Sequence, residues 1–295
     1  MAYIKLLRPK DWAKNIFLFI PLFFAGEITD TTKVLQVLLG FIAFSAAASS
    51  IYILNDYRDI EDDRKHPVKK FRPLASGAVS KSIALVIAIG LIIFAFGLAW
   101  YIRDKFLFVL AIYYAINLGY SFGLKNISIL DIILLAAGFV LRVKAGSVIA
   151  QVPLSEWIII MIFLLALFMA IGKRRDDVIL KLSSGQDMRK SIKGYNLDFL
   201  NTLIALICAV IIVAYFMYTM SEEVMLRYQT HRLYYTCLFV MAGIMRYLQI
   251  IFVIADSGSP TKILYKDRFI QIVLLLWAAS FFAIIYMKDY TLFKI

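Results

Sequence analysis

The chain has 295 residues, 62% of them hydrophobic, with a mean hydropathy of +0.80. A soluble domain of this length cannot hide that much apolar surface, so the composition implies a membrane protein with several spans. The net charge of +12 does not argue for nucleic acid, because no domain stands outside the membrane and no recognition motif is present.

Met1–Asn15 carries four basic residues but no small-residue cleavage site, which predicts a short interfacial amphipathic helix rather than a removable signal. Hydropathy then predicts nine spans, at about 16–30, 34–54, 82–102, 106–122, 128–149, 157–172, 199–220, 233–254 and 269–287, the first interrupted by Pro21. All are expected to be helical, since lipid offers backbone polar groups no partner outside a helix or closed barrel. The expectation is one all-α integral membrane domain over residues 1–295, with Cys208 and Cys237 as buried thiols inside spans. With the N terminus in the cytoplasm, the inside segments hold 22 of the 32 Lys and Arg residues, the outside segments seven, and spans the other three. That bias predicts a cytoplasmic N terminus in the cell inner membrane, with attraction to anionic membrane lipids.

At the end of the second span stands Asn55-Asp56-Tyr57-Arg58-Asp59-Ile60-Glu61-Asp62-Asp63. Asn55, Asp59 and Asp63 recur every four residues, which on a helix is one stripe rising about 6 Å per step. Oxygen-bearing side chains on one face at a membrane exit suit Mg²⁺, which takes hard ligands and bridges to substrate phosphates. Asp56 and Asp62 reach the same place if the helix is distorted, and a solvated acidic helix end is the plain alternative. The sequence continues Arg64-Lys65-His66-Pro67-Val68-Lys69-Lys70-Phe71-Arg72-Pro73, a cationic loop suited to an anionic, metal-bound diphosphate.

Further along, Ser128-Ile129-Leu130-Asp131 has the form of a capping box, so Asp131 reads as structural. Arg142 lies inside a span, where an ionised Arg costs on the order of 3 kcal/mol and needs a polar cavity and a partner. It forms a stripe with Gly138 and Gly146, small residues that permit close helix approach; Lys144 points away. The second cationic loop reads Gly172-Lys173-Arg174-Arg175-Asp176-Asp177, then Ser191-Ile192-Lys193-Gly194-Tyr195, with Lys173 and Asp177 on one helix face. A stop-transfer cluster with a surface ion pair is the alternative there. Arg246 is a third intramembrane cation, and Asp267-Arg268 precedes the last span.

The pattern at 55–63 on a nine-helix frame resembles the UbiA-type intramembrane prenyltransferase superfamily. Arg8-Pro9-Lys10-Asp11-Trp12-Ala13-Lys14-Asn15, His66-Pro67, Lys70-Phe71-Arg72-Pro73-Leu74-Ala75-Ser76-Gly77, Tyr120-Ser121, Leu124-Lys125, Ala137-Gly138-Phe139-Val140-Leu141-Arg142 and Gly172-Lys173-Arg174 together resemble its decaprenyl-phosphate phosphoribosyltransferase branch. The resemblance covers most of the chain and weakens beyond about residue 200. It implies a UbiA-like bundle with a cytoplasm-facing polar cavity. It also implies transfer of a 5-phosphoribosyl group from phosphoribosyl diphosphate to a polyprenyl phosphate, releasing diphosphate. Other members of the superfamily carry a second aspartate-rich motif after the sixth span; here cations replace much of it, and Lys and Arg can hold the extra phosphate of this donor.

On that reading Asn55, Asp59 and Asp63 hold Mg²⁺, with Asp56 as a ligand or supporting partner, while Arg72 and Arg142 stabilise the leaving diphosphate. Lys173, Arg174 and Asp177 grip either the 5-phosphate or the acceptor phosphate. Lys14, His66, Lys70, Lys125 and Tyr195 are further substrate contacts. A homo-oligomer is left open. The rival readings are a prenyltransferase of the same superfamily with a prenyl diphosphate donor and an aromatic or lipid acceptor, and an anion transporter. The absence of a convincing internal repeat counts against the transporter.

Overall fold

The structure, a computed structural model, describes residues 2–65, 69–184, 190–254, 263 and 265–286. Among the described residues every regular element is helical. The chain runs through α1 (Ala2–Leu7), a 3₁₀ helix (Pro9–Phe19), α2 (Ile20–Phe24), α3 (Thr31–Arg58) and α4 (Ile60–Lys65). It continues through α5 (Lys81–Ile102), α6 (Asp104–Ser121), α7 (Leu130–Ala150) and α8 (Glu156–Ser184). The last helices are α9 (Leu197–Met220), α10 (Glu222–Tyr228), α11 (Cys237–Gln249), which runs on as one π turn at Ile250–Ile254, and α12 (Arg268–Tyr286).

Every expected span from residue 34 onward coincides with a helix. Among the described residues six helical stretches (Thr31–Arg58, Lys81–Ile102, Leu130–Ala150, Glu156–Leu182, Leu197–Met220 and Leu233–Ile254) are long and apolar enough to cross a bilayer. The chain is an integral membrane protein. The expected first span, 16–30, is not one helix. The chain leaves α1 at Arg8, whose φ of 52° is left-handed, runs as a 3₁₀ helix to Phe19, and makes only a short α-turn around Pro21. Pro21 has no N–H to continue a helical ladder, so regular structure resets there.

The 3₁₀ geometry has a use. Three residues per turn put Trp12, Asn15 and Leu18 in one row, and two of them meet hydroxyls one turn apart on α3. Trp12 Nε1 donates to Ser49 Oγ at 2.9 Å and Asn15 Nδ2 to Ser45 Oγ at 2.9 Å, while Ser49 Oγ donates to the Leu7 carbonyl at 2.8 Å. The small run Ser45–Ser50 on α3 lets that segment lie close. On α5, Ala84, Ala88, Ala95 and Ala99 are all buried, whereas Val86, Ile93 and Trp100, seven residues apart, are exposed. That division is a small-residue face for a helix neighbour and a bulky face for lipid. Helix starts are capped by Asp30, Ser80 and Asn196, whose side chains accept from backbone N–H groups of the first turn.

Two compact units can be distinguished: residues 1–125 with 137–154, and residues 126–136 with 155–295. In the first, α3 packs on α5, and a core of Leu18, Phe44, Phe106, Tyr113 and Ile149 fills the interior. In the second, α8 packs on α9 and α11 on α12. Buried positions on α9 (Leu200, Ile204, Ile207, Cys208, Ile211, Tyr215, Tyr218) follow the helical period, and both cysteines are free and buried.

Candidate active site

In the first unit, α3 ends at Arg58 and α4 starts at Ile60, with Asp59 at the break. The hydrogen-bond register survives: Asp59 N donates to Asn55 O at 3.0 Å and Asp63 N to Asp59 O at 2.8 Å. The stripe with its four-residue step therefore persists, but Asn55 and Asp59 share one cation while Asp63 shares another with Asp56, off the stripe. Lys125 Nζ donates to Asn55 Oδ1 and to Asp59 Oδ2, each at 3.0 Å, and Asn55 Nδ2 donates to Asp59 Oδ2 at 3.1 Å. Arg72 Nη1 donates to Asp63 Oδ2 at 2.7 Å and to Asp56 Oδ1 at 3.0 Å, and Arg8 donates to the same Asp56 oxygen. Asp56 and Asp63 are 2% and 3% exposed, while Glu61 and Asp62 face outward. Asp56 thus turns inward and Asp62 does not.

Two turns aim the cations. Leu74 and Val79 bury against Ile60 of α4 and Leu6 of α1, and Val79 N donates to the Pro73 carbonyl at 3.1 Å, fixing the loop that carries Arg72. Arg58 donates to the Ser121 carbonyl and lies over the Phe122 ring at 4.8 Å, anchoring the turn that carries Lys125. Lys70 lies over the ring of Phe71, and His66 falls outside the described residues. Lys14 pairs with Asp11 at 2.7 Å and sits 5.9 Å from the Tyr52 ring centroid, which Arg8 also faces at 5.1 Å.

Arg142 is 5% exposed. Its guanidinium donates to Asn15 Oδ1 at 2.9 Å, to the Gly138 carbonyl at 2.8 Å and to Tyr113 OH at 2.8 Å, with Phe44, Tyr113 and Phe139 rings around it. None of these partners is a carboxylate. The intramembrane Arg is solvated by dipoles and π-faces instead.

A second network lies in the other unit. Arg174, fully buried, donates through Nε to Asp131 Oδ2 at 2.6 Å and through Nη1 to Asp177 Oδ2 at 2.8 Å. Tyr195 OH donates to Asp131 Oδ1 at 2.6 Å and accepts from Ile129 N at 2.6 Å. Burial, and then the bond to Asp131, push the Tyr195 pKa well up, so it stays a donor. Ile129 holds a φ of 70°, an unusual backbone for a β-branched residue. Ser128 Oγ donates to the Ser191 carbonyl at 2.8 Å, and a Cβ on Gly194 would lie 2.8 Å from Ser128 Cβ, so only glycine admits this approach. Asp131 is therefore not half of a capping box. Its carboxylate is the hub of a buried ion pair, and Ser128 is engaged elsewhere. Lys173 stands exposed beside Arg174 on α8. Near the loop, Lys181, Lys193, Tyr195 and Asn196 line a groove of about 300 Å³. Arg246 pairs with Asp267 at 2.8 Å, which holds that carboxyl below its usual range.

The residues 16–179 match the model of the UbiA prenyltransferase family, more than half of the chain. The chain belongs to this family. A decaprenyl-phosphate phosphoribosyltransferase of Mycolicibacterium smegmatis is 36% identical, over 96% of this chain and 92% of that protein. The protein of the same name from Corynebacterium glutamicum is 33% identical, over 93% and 83%. Among solved structures, a UbiA homologue from Archaeoglobus fulgidus bound to DMAPP and Mg²⁺ has the same fold, with a TM-score of 0.71 at 22% identity over 97% of this chain and 99% of that one. The stretch matched to the UbiA family takes in the acidic cluster, Arg72, Lys125, Arg142 and Lys173–Asp177, and leaves Lys14 and Tyr195 outside it.

The donor set of the acidic cluster is all oxygen and suits a hard divalent cation. Among the described residues no three acidic, His or Cys side chains converge as a ready-made ligand group. Asp59 and Asp63 are each drawn toward a cationic side chain instead. Reading the sequence missed Arg8, Asn15 and Tyr113. Arg8 and Asn15 lie at the two ends of the Arg8–Asn15 motif, which was the available signal; Tyr113 sits in an ordinary apolar span and gave none.

Proposed function

We propose that this UbiA-family protein transfers a 5-phosphoribosyl group from phosphoribosyl diphosphate to a polyprenyl phosphate, releasing diphosphate. What carries the reading is the pairing of oxygen donors with partly exposed cations: Asn55, Asp59 and Asp63 beside Lys125 and Arg72. The named activity of the M. smegmatis and C. glutamicum relatives, matched over nearly the whole chain, supports it. Asn55 Oδ1, Asp59 and Asp63 would hold Mg²⁺, which when bound neutralises charge on the donor diphosphate. Arg72 and Lys125 donate hydrogen bonds to the diphosphate as the C1–O bond breaks and the electron pair leaves with it. An oxygen of the acceptor phosphate forms the new C1–O bond from the opposite face, giving inversion. That phosphate is already ionised at neutral pH, so no general base is required. In the other unit Lys173 is exposed and next in sequence to Arg174 of the buried Arg174–Asp131–Tyr195 network.

The lipid acceptor requires access from the bilayer, and the proposed orientation places the acidic cluster and the N terminus at the cytoplasmic face of the inner membrane, in line with the basic-residue bias. The test uses purified protein in lipid nanodiscs with Mg²⁺, polyprenyl phosphate and labelled phosphoribosyl diphosphate. Label should enter the lipid phase and stop doing so on chelation. A folded protein that transfers no label to acceptors of several lengths, yet consumes a prenyl diphosphate, would overturn the choice of donor.

A further inference from the structure

The three carboxylates of the acidic cluster face three cationic side chains, so Asp56, Asp59 and Asp63 are balanced by Arg8, Arg72 and Lys125. The three cations are not held alike. Arg8 leaves α1 in a left-handed conformation, lies on the Tyr52 ring and engages the nearly fully buried Asp56. Removing it would leave the buried Asp56 to Arg72 alone. Arg72 and Lys125 have side chains 26% and 22% exposed, no less than Arg8 at 22%, but sit on short turns between helices rather than at the end of a helix. Arg72 uses one nitrogen to reach two carboxylates, and Lys125 one nitrogen to reach an amide and a carboxylate. Both therefore keep donors to spare for a further anion. The buried Arg142 and Arg174 lack such exposure, at 5% and 0%.

Charge decides what such a cluster accepts. A bare divalent cation would have to displace these cations from Asp59 and Asp63 and leave two surplus positive charges in a partly buried site. A divalent cation carried on a diphosphate arrives with net negative charge. It takes the carboxylate oxygens and offers phosphate oxygens to the side chains it displaces. We propose that Arg72 and Lys125 are exchangeable counter-ions of the metal ligands: they occupy Asp63 and the Asn55–Asp59 pair until metal and diphosphate arrive together, then move onto the diphosphate. The site thereby selects the metal–diphosphate complex over free metal, while Arg8 stays on Asp56. This rests on the metal assignment made above for Asn55, Asp59 and Asp63.

The test is binding rather than turnover: purified protein in nanodiscs is titrated with Mn²⁺ alone, and then with Mn²⁺ plus inorganic diphosphate, reading free Mn²⁺ by electron paramagnetic resonance. The wild type should bind Mn²⁺ weakly alone and at least about tenfold more tightly with diphosphate. Arg72→Gln and Lys125→Gln should each bind Mn²⁺ alone more tightly than wild type, by about fivefold, the size of a partly exposed ion pair, and gain less from diphosphate. Lys33→Gln, which removes an ion pair with Glu27 away from this cluster, should match wild type. Unchanged or weaker Mn²⁺ binding in both Gln variants would overturn the exchange while leaving the metal site standing. No Mn²⁺ binding by any form, with or without diphosphate, would overturn the metal assignment and the exchange with it.

Discussion

Gly146 offers the most direct check on how the 3₁₀ segment and α7 build the first unit. A Cβ there would lie 2.7 Å from the Leu18 carbonyl carbon, 3.0 Å from Leu18 Cα, and closer still to the Leu18 oxygen. Non-bonded carbons rest about 3.5–4.0 Å apart, so Gly146→Ala must part the two backbones by roughly 1 Å. The obstacle is main chain on both sides, and no rotamer relieves it. Arg142 is one turn earlier on α7 and Asn15 one 3₁₀ turn before Leu18, so the same displacement stretches their 2.9 Å hydrogen bond out of range. Overpacking costs about 1–3 kcal/mol. A lost hydrogen bond to a buried charge adds about 1.5–3 kcal/mol. At about 2–4 °C per kcal/mol for a chain of this size, the apparent Tm in nanodiscs should fall by at least about 5 °C. Label transfer should fall at least about tenfold, because Asn15 and Arg142 move with the backbone. Gly90→Ala and Gly97→Ala are the controls, since nothing lies within 4 Å of a Cβ at either, and they should stay within about 1 kcal/mol of wild type. A Gly146→Ala protein with wild-type Tm and transfer would refute the close approach and the dependence of Arg142 on it.

Asp59→Ala and Asp63→Ala should each abolish label transfer while leaving a folded protein by size exclusion and thermal melt; near-normal turnover in either would remove the metal assignment. Tyr195→Phe deletes the donor to Asp131 and the acceptor for Ile129 N–H, so the apparent Tm in nanodiscs should fall by about 2–12 °C. Tyr195→Phe and Asp131→Asn should be non-additive in that shift, because both break the same bond; full additivity would argue against a shared network. At Asp267 the folded-state carboxyl is depressed by Arg246, so its stabilisation is complete above the ordinary carboxylate range and fades only as pH falls below it. Arg246→Ala should therefore leave the pH dependence of melting between pH 6 and 8 unchanged, and a new slope in that window would contradict the assignment.

The sequence made the helices and the acidic motif legible because both are local signals. Apolar runs mark bilayer length, and Asn55, Asp59 and Asp63 keep their register through backbone bonds that each span four residues. What it hid is pairing at long range. Asp131 had every mark of a helix cap, yet its partner is Arg174, 43 residues away, and nothing in either local sequence names the other. The first span failed for a different reason: composition counts apolar residues but does not distinguish a 3₁₀ segment from an α-helix, and here Arg8 and Pro21 bound an irregular stretch. A topological bias explains any cation in a basic N terminus, so Arg8 carries no local mark of its role; its bond to Asp56 joins positions 48 residues apart.

The arginines of this chain separate by how their charge is compensated, and that separation assigns their work. Arg174 is sealed between two carboxylates, where loss of a partner would strand a buried charge. Arg142 is equally sealed but bonded to an amide, a carbonyl and a phenol, so its charge is not cancelled by the groups that hold it. Those three bonds fix its position and use three of its five N–H donors, so its charge and two donors remain uncompensated by the groups around it. Arg72 is the opposite case, cancelled twice over and partly exposed. Among these arginines, a side chain in Arg72's position is the one that can follow charge as it moves from carboxylate to diphosphate, as Lys125 does from Asp59, which is what a reaction that discharges a diphosphate demands of the residues beside it.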